Sequence, residues 1–239
     1  MKDQNIKIFC DGSSSGNPGP GGWGSIIVYP EGGRNEEVIE LGGGEKHTTN
    51  NRMEIMAVIK ALEKIGITDK HLIIYSDSAY MINGITKWVF GWQSRDWQTR
   101  EKTDVANKDL WLELVKNVKG QKIDWQQVSG HSGIIGNERA DEIATAFTKG
   151  ERPLLFAGEF KKYRLDILNF KTDDKKVAQK SRSGAKAYSY LSLVDGVCKI
   201  DSNWADCEKR VKGRVGVKFK KSLSPDDEKE ILKSWGVGK

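Results

Sequence analysis

The sequence predicts an α/β protein: a mixed sheet covered by helices, followed by a small second αβ domain. Three features point there. Strand-like runs come first as a meander, later strands alternate with helical stretches, and a polar Lys-rich segment separates both from a new hairpin signal near the end.

The elements follow in order. "IKIFCDG" and "WGSIIVYP" are short apolar runs bounded by turn residues, and "EEVIELGGG" alternates, so the three read as strands joined by hairpins. "TNNRMEIMAVIKALEKIG" has helical periodicity. Met53, Met56, Ala57, Ala61 and Leu62 form its apolar face, with Ile59 beside it and Gly66 as its stop. "HLIIYSD" is a fourth strand and "SAYMINGI" a short helix. "NKDLWLELVKNVKG" is a helix, "KIDWQQVSG" a fifth strand and "GNERADEIATAFTK" the closing helix of a domain spanning 1–150. The pattern then weakens, and 151–186 is expected to be a polar, Lys-rich linker. Order resumes over 187–239. "AYSYLSLVDGVCKI" is a hairpin turning at Asp195-Gly196, followed by a helix capped by Ser202 or Asn203, a strand "VGVKFKK" and a capped helix "SPDDEKEILKSWG".

Composition narrows the function. With 30% charged residues and 8 Trp among 239, the chain reads as soluble and globular, and no apolar run approaches the roughly 18 residues a membrane span needs. No secretory leader is expected in "MKDQNIKIFC". Cys10, Cys198 and Cys207 lack metal-ligand spacing and read as reduced thiols of a cytoplasmic protein. Residues 1–150 hold 18 Lys and Arg against 20 Asp and Glu, whereas 151–239 hold 21 against 13. A basic tail on a near-neutral front domain suggests a polyanionic partner, most often nucleic acid, although a solvated Lys-rich surface has the same composition.

Four acids sit near the ends of these elements: Asp11 after the first strand, Glu54 early in the first long helix, Asp77 after "IIYS" and Asp141 in the closing helix. Each has an ordinary reading. Asp11-Gly12 opens a common turn signature, Asp77-Ser78 could cap a helix, and Glu54 and Asp141 suit solvated helix positions. Helical phase argues against this for Glu54, which falls between Met53 and Met56 rather than on the Lys60/Lys64 side. Four acids converging on one sheet edge would repel unless cations held them, and hard oxygen ligands favour Mg²⁺ or Mn²⁺ over zinc.

"DGSSSGNPGPGGWG", "TTNNRMEIMAVIKAL", "YSDSAYMINGI", "NKDLWLEL" and "VSGHSGIIGNERADEIA" resemble the successive motifs of type 1 ribonuclease H over about residues 5–149. The resemblance implies a five-stranded mixed sheet, its first three strands antiparallel, flanked by helices. It implies that Asp11, Glu54, Asp77 and Asp141 bind two Mg²⁺ ions, with Mn²⁺ able to substitute, and that the RNA strand of an RNA–DNA hybrid is cut. Asp11 would bridge both ions, and the small residues after it would let the RNA backbone approach the main chain. By the same resemblance His131 assists proton movement or product release, Asn17 and Asn51 contact substrate, and Thr49 and Asn107 grip a phosphate of the DNA strand. "KWVFGWQSRDWQTREK", with Trp88, Trp92 and Trp97, resembles the basic protrusion that many bacterial members press against DNA. It is less basic here, and Ala79 stands where several bacterial members carry glutamine.

"WADCEKRVKGRVGVKFKK" resembles the hybrid-binding domain of eukaryotic type 1 ribonucleases H through Trp204, Cys207, Val211, Phe219, Lys220 and Lys221. That implies Trp204 and Phe219 against the DNA strand and Lys220 and Lys221 on phosphates. The function expected is therefore a hybrid-specific endoribonuclease with an appended binding module, monomeric and without membrane contact. Two rivals stand beside it: a non-catalytic hybrid-binding protein, and a related nuclease acting on DNA junctions or double-stranded RNA.

Overall fold

A computed structural model describes residues 4–29, 36–130, 133–170, 186–214 and 216–237. The chain divides into two compact units, Met1–Lys176 and Val177–Lys239.

The first unit is built on β1 (Ile6–Ser14), β2 (Gly19–Val28), β3 (Glu37–Thr48), β4 (His71–Ser76), β5 (Lys122–Gln127) and β6 (Ala157–Glu159), ordered β5-β4-β1-β2-β3-β6. β1, β2 and β3 form the expected antiparallel meander, and β4 joins β1 in parallel, with β5 parallel to β4. Parallel strands need long crossovers, which the helices supply. They are α1 (Asn50–Ile65), α2 (Ala79–Asn83), α3 (Val89–Gln93) and α4 (Lys108–Val118), with a π-helical turn at Gly84–Trp88 between α2 and α3. α5 (Ile135–Thr148) follows β5.

Both faces of the central strands are buried. Ile8 and Cys10 of β1 pack with Ile55, Val58 and Leu62 of α1, whereas Phe9 packs with Ile26, Val38, Ala140 and Ile143 on the α5 side. α5 reaches the sheet because Gly24 lacks a side chain: a Cβ there would sit 2.3 Å from the Ala140 carbonyl oxygen.

The sheet has six strands rather than the expected five. β6 pairs antiparallel with β3, and Phe156, Phe160, Tyr163 and the fully buried Ile167 pack on the α5-side core. The first part of the expected linker thus belongs to the first unit. Its apolar residues are too sparse to show a period, but a segment that only covers an existing sheet needs one anchor every few residues. Residues 171–185 of that segment lie outside the described residues.

The second unit has a three-stranded antiparallel sheet, β8-β7-β9, of β7 (Ser189–Val194), β8 (Val197–Asp201) and β9 (Lys218–Ser222). Asp195 (φ 52°) and Gly196 (φ 77°) make the predicted tight turn. α6 (Trp204–Val211) is capped by Asn203, whose side chain accepts the Asp206 N–H, and α7 (Pro225–Ser234) by Ser224, which accepts the Asp227 N–H. Among the described residues no helix is long and apolar enough to cross a membrane.

Candidate active site

β1 continues to Ser14, so Asp11 lies within the strand and not at its end. The ladder between β1 and β4 closes at Phe9 and Tyr75, and β4 stops at Ser76. Beyond those points the two parallel strands no longer pair, leaving Asp11 and Asp77 beside an opening at their carboxyl ends, where α/β sheets place ligands. Ser78, not Asp77, caps α2 by accepting the Met81 N–H at 3.2 Å. Asp77 is thereby left out of the capping role.

α1 delivers the third acid. It packs against β1 at Gly12, where a Cβ would sit 2.2 Å from the Glu54 nitrogen. One carboxylate oxygen from each of Asp11, Glu54 and Asp77 lies within 4.8 Å of the others. Asp11 and Glu54 are each only 6% exposed, and Asp77 is half-buried. The Gly12 N–H donates to Asp11 Oδ1 at 2.7 Å, and Asn50 Nδ2 donates to Glu54 Oε1 at 3.2 Å. Burial, reinforced by the charges of Asp11 and Asp77, holds the Glu54 carboxyl well above the usual carboxylate range, against the opposing effect of donors from Gly12 and Asn50.

Glu54 Oε2 is buried without a hydrogen-bond partner. An unsatisfied carboxylate oxygen costs free energy unless something neutralises it. A divalent cation with a preference for hard oxygen ligands fits this set of three carboxylates.

Asp141 stands outside that 4.8 Å group, half-buried on α5, with Thr145 Oγ1 donating to its Oδ1 at 3.4 Å. It follows Ala140, which abuts Gly24, and Gly24 is the β2 partner of Asp11. α5 therefore carries Asp141 one residue from where it meets the β2 partner of Asp11. His131 lies outside the described residues.

Asn17 and Asn51 are exposed, on the β1–β2 turn and the first turn of α1. Thr49 is the N-cap of α1, its hydroxyl accepting the Arg52 N–H at 3.4 Å. Asn107, at φ 60° before α4, donates to the Tyr80 hydroxyl at 3.1 Å. Arg52 forks onto Asp109 at 2.9 and 2.7 Å, so the starts of α1 and α4, and with them Thr49 and Asn107, are held side by side.

Of the protrusion tryptophans, only Trp88 is well exposed; its ring lies 5.7 Å from Tyr80 and 5.9 Å from Trp92. Trp97 is buried, and Trp92 packs on Trp97 and Trp111. Trp92 and Trp97 brace the protrusion internally, and Trp88 is the ring it exposes.

In the second unit Tyr190, Trp204 and Phe219 form one chain of rings, with centroids 5.7 and 5.6 Å apart. Trp204 is 38% and Phe219 52% exposed. β9 separates the two lysines. Phe219 and Lys221 lie opposite Ser192 and Tyr190 on one face, whereas Lys220 lies opposite the buried Leu191 on the other. Of the two, it is Lys221 that shares the aromatic face.

A second acidic centre was not foreseen. Glu40 is buried in β3 and accepts from Arg139 Nε at 2.8 Å and Nη2 at 3.0 Å, from the Tyr163 hydroxyl at 2.7 Å and from the Phe156 N–H at 3.0 Å. Its signal in the sequence is an acid in phase with Val38 on an inward-facing strand position.

A family model described as RNase H matches residues 3–149. The chain is 50% identical over 151 residues to a Ribonuclease H of Maricaulis maris (62% of this chain, 98% of that protein). It is also 50% identical over 141 residues to one of Alcanivorax borkumensis (59% and 89%). Among solved structures it resembles LC9-RNase H1, described as a type 1 RNase H with the type 2 active-site motif, at TM-score 0.58 and 30% identity, covering 70% of this chain and 84% of that one.

Proposed function

The chain belongs to the RNase H family, and from that premise we propose that it hydrolyses the RNA strand of RNA–DNA hybrids at the Asp11–Glu54–Asp77 centre, while its second unit holds the hybrid. The observation that carries this is the buried Glu54 Oε2, left without a partner inside a cluster of three carboxylates.

Asp11, Glu54 and Asp77 would hold two divalent ions, Mg²⁺ by the hardness of the ligands, and Asp141 would complete the set from α5. When bound, such ions stabilise the attacking and leaving oxygens of an in-line displacement at phosphorus. The remaining work falls to the chain. Asn17 and Asn51 are exposed and would contact the RNA strand, whose 2′-hydroxyls distinguish it from DNA. Thr49 and Asn107, fixed by the Arg52–Asp109 fork, would position a DNA phosphate, and Trp88 would meet the DNA strand from the protrusion. His131 would assist proton movement or release. In the second unit Trp204 and Phe219 would stack on the hybrid and Lys221 would take a phosphate, with Lys220 peripheral.

The test is cleavage of one sequence presented as hybrid, double-stranded RNA and double-stranded DNA, with and without Mg²⁺. RNA-strand cutting of the hybrid alone, only with the ion, is expected. Equal cutting of double-stranded RNA, or hybrid binding without cutting, would select one of the rival functions.

A further inference from the structure

We infer that residues 151–170 form a positioning strap that sets the end of β4 and the start of α5 against each other, and so sets the spacing of Asp77 and Asp141. The inference builds on the proposed function, since it assigns those acids to the active site. The strap lies past the end of the family match at residue 149.

Three independent attachments place it. At one end Glu40 is the hub: it accepts from Phe156 N–H and Tyr163 hydroxyl of the strap and from Arg139 of α5. Arg139 is two residues before Asp141. In the middle, Ile167 is 1% exposed in the core that also holds Phe9 and Ile134, and Ile134 is the residue from which α5 starts. At the far end the Phe170 ring lies 5.0 Å from Tyr75 and 5.9 Å from Phe9. Tyr75 is two residues before Asp77, and Phe9 two before Asp11.

The strap therefore reaches β1 and β4 by ring contact, and α5 through the Glu40 hub, in each case two residues from the acid. β1 already links β4 and α5, pairing with the one and packing on the other, and the strap adds a second tie that reaches β4 at Tyr75 and α5 through Glu40 and Arg139. Tyr163, Ile167 and Phe170 are positioning residues, acting through Arg139, Ile134 and Tyr75.

Full-length variants decide the matter. Ile167→Ala and Phe170→Ala are compared with wild type and with Leu114→Ala, a core truncation in α4 on the opposite face of the sheet. The strap variants should lose about ten- to a hundredfold in kcat at temperatures where they are folded, as a misplacement of about 1 Å can cost. Their KM for the hybrid should stay within about twofold, because substrate contacts are intact. Without metal, amide exchange should quicken at the end of β4 and the first turn of α5. Phe170→Tyr, which keeps the ring stack, should restore both rate and exchange, and Leu114→Ala should lose stability yet keep kcat. Should Ile167→Ala fail to fold, Phe170→Ala decides, since its ring is 37% exposed and its removal leaves the core filled. Wild-type kcat and exchange in Phe170→Ala, or a loss that merely tracks the unfolded fraction as in Leu114→Ala, overturns the inference. If wild type itself does not cut the hybrid, the functional proposal fails, and the exchange measurement still decides the strap.

Discussion

Gly12 and Glu54 meet backbone to backbone: a Cβ on Gly12 would stand 2.2 Å from the Glu54 nitrogen and 2.4 Å from the Met53 carbonyl carbon. The missing side chain is what lets α1 carry a buried carboxylate to the strand that holds Asp11. Gly12→Ala should therefore push α1 off β1. Overpacking of this kind costs about 1–3 kcal/mol, and here the atoms in the way are main chain of Met53 and Glu54. A melting curve should show that loss, and a Mg²⁺ titration of the cleavage rate should show weaker ion dependence on the same variant. An unchanged melting temperature with an unchanged titration would mean that α1 and β1 can separate without disturbing the site.

Glu54 gives a pH prediction. Burial, with Asp11 and Asp77 adding to it, raises its carboxyl well above the ordinary range. A group raised on folding stabilises the fold while protonated, and that stability is lost as pH rises from about 4.3 through the folded-state value. Metal-free protein should accordingly melt lower at pH 7 than the Gln variant, and Mg²⁺ should raise the wild-type melting temperature while leaving Glu54→Gln nearly unmoved. A Mg²⁺-induced rise of equal size in both proteins would contradict the assignment of Glu54 as a ligand.

Glu40 behaves in the opposite sense. Burial works to raise its carboxyl, but Arg139, the Phe156 N–H and the Tyr163 hydroxyl outweigh it and hold the group below the usual range. Its stabilisation is present above the ordinary carboxylate pKa and is lost as pH falls through the lowered value. Arg139→Ala strands a buried charge and should cost about 3–5 kcal/mol. Tyr163→Phe removes one bond to the same carboxylate and should cost about 1.5–3 kcal/mol, as bonds to charged groups do. Urea denaturation at neutral pH measures both, and near-equal costs would show that the hub does not depend on the ion pair.

The second unit separates two adjacent lysines. Trp204→Ala should weaken hybrid binding by about 1–3 kcal/mol, the range for a lost base-stacking aromatic. Lys221→Ala should flatten the salt dependence of binding by about 0.7–0.9 in logarithmic slope, the share of one phosphate contact. Lys220→Ala, on the other face of β9, should change it less. The check is binding of a long hybrid across a salt series. If Lys220→Ala has the larger effect, the aromatic face is not the one that meets nucleic acid.

Most of the first unit was legible because its strands and helices carry their own periodicity. α1 announces Glu54 by phase, and capping residues mark α6 and α7 at Asn203 and Ser224. What stayed hidden depends on contacts far apart in the chain. The strap has apolar anchors at Phe156, Phe160 and Ile167 with no regular spacing, and only the open face of β2 and β3 gives them a place. Gly12 reads as turn freedom until α1 is seen against it, and Lys220 and Lys221 read as a pair until β9 alternates them. The extent of β1 was hidden too, since glycine and serine after Asp11 weaken any strand signal.

The most direct measurement is RNA-strand cleavage of a hybrid across a Mg²⁺ series by wild type and Asp11→Asn, with binding of the same hybrid measured in parallel. The substitution keeps the side chain's shape while removing one charge from the three-carboxylate cluster. Wild type should cut only in the presence of the ion. The Asn variant should bind the hybrid comparably and cut at less than about a tenth of the wild-type rate even at saturating Mg²⁺, because the charge that neutralises the ions is gone. Cleavage by Asp11→Asn above that level, or ion-independent cutting by wild type, would contradict a metal-dependent centre at Asp11, Glu54 and Asp77.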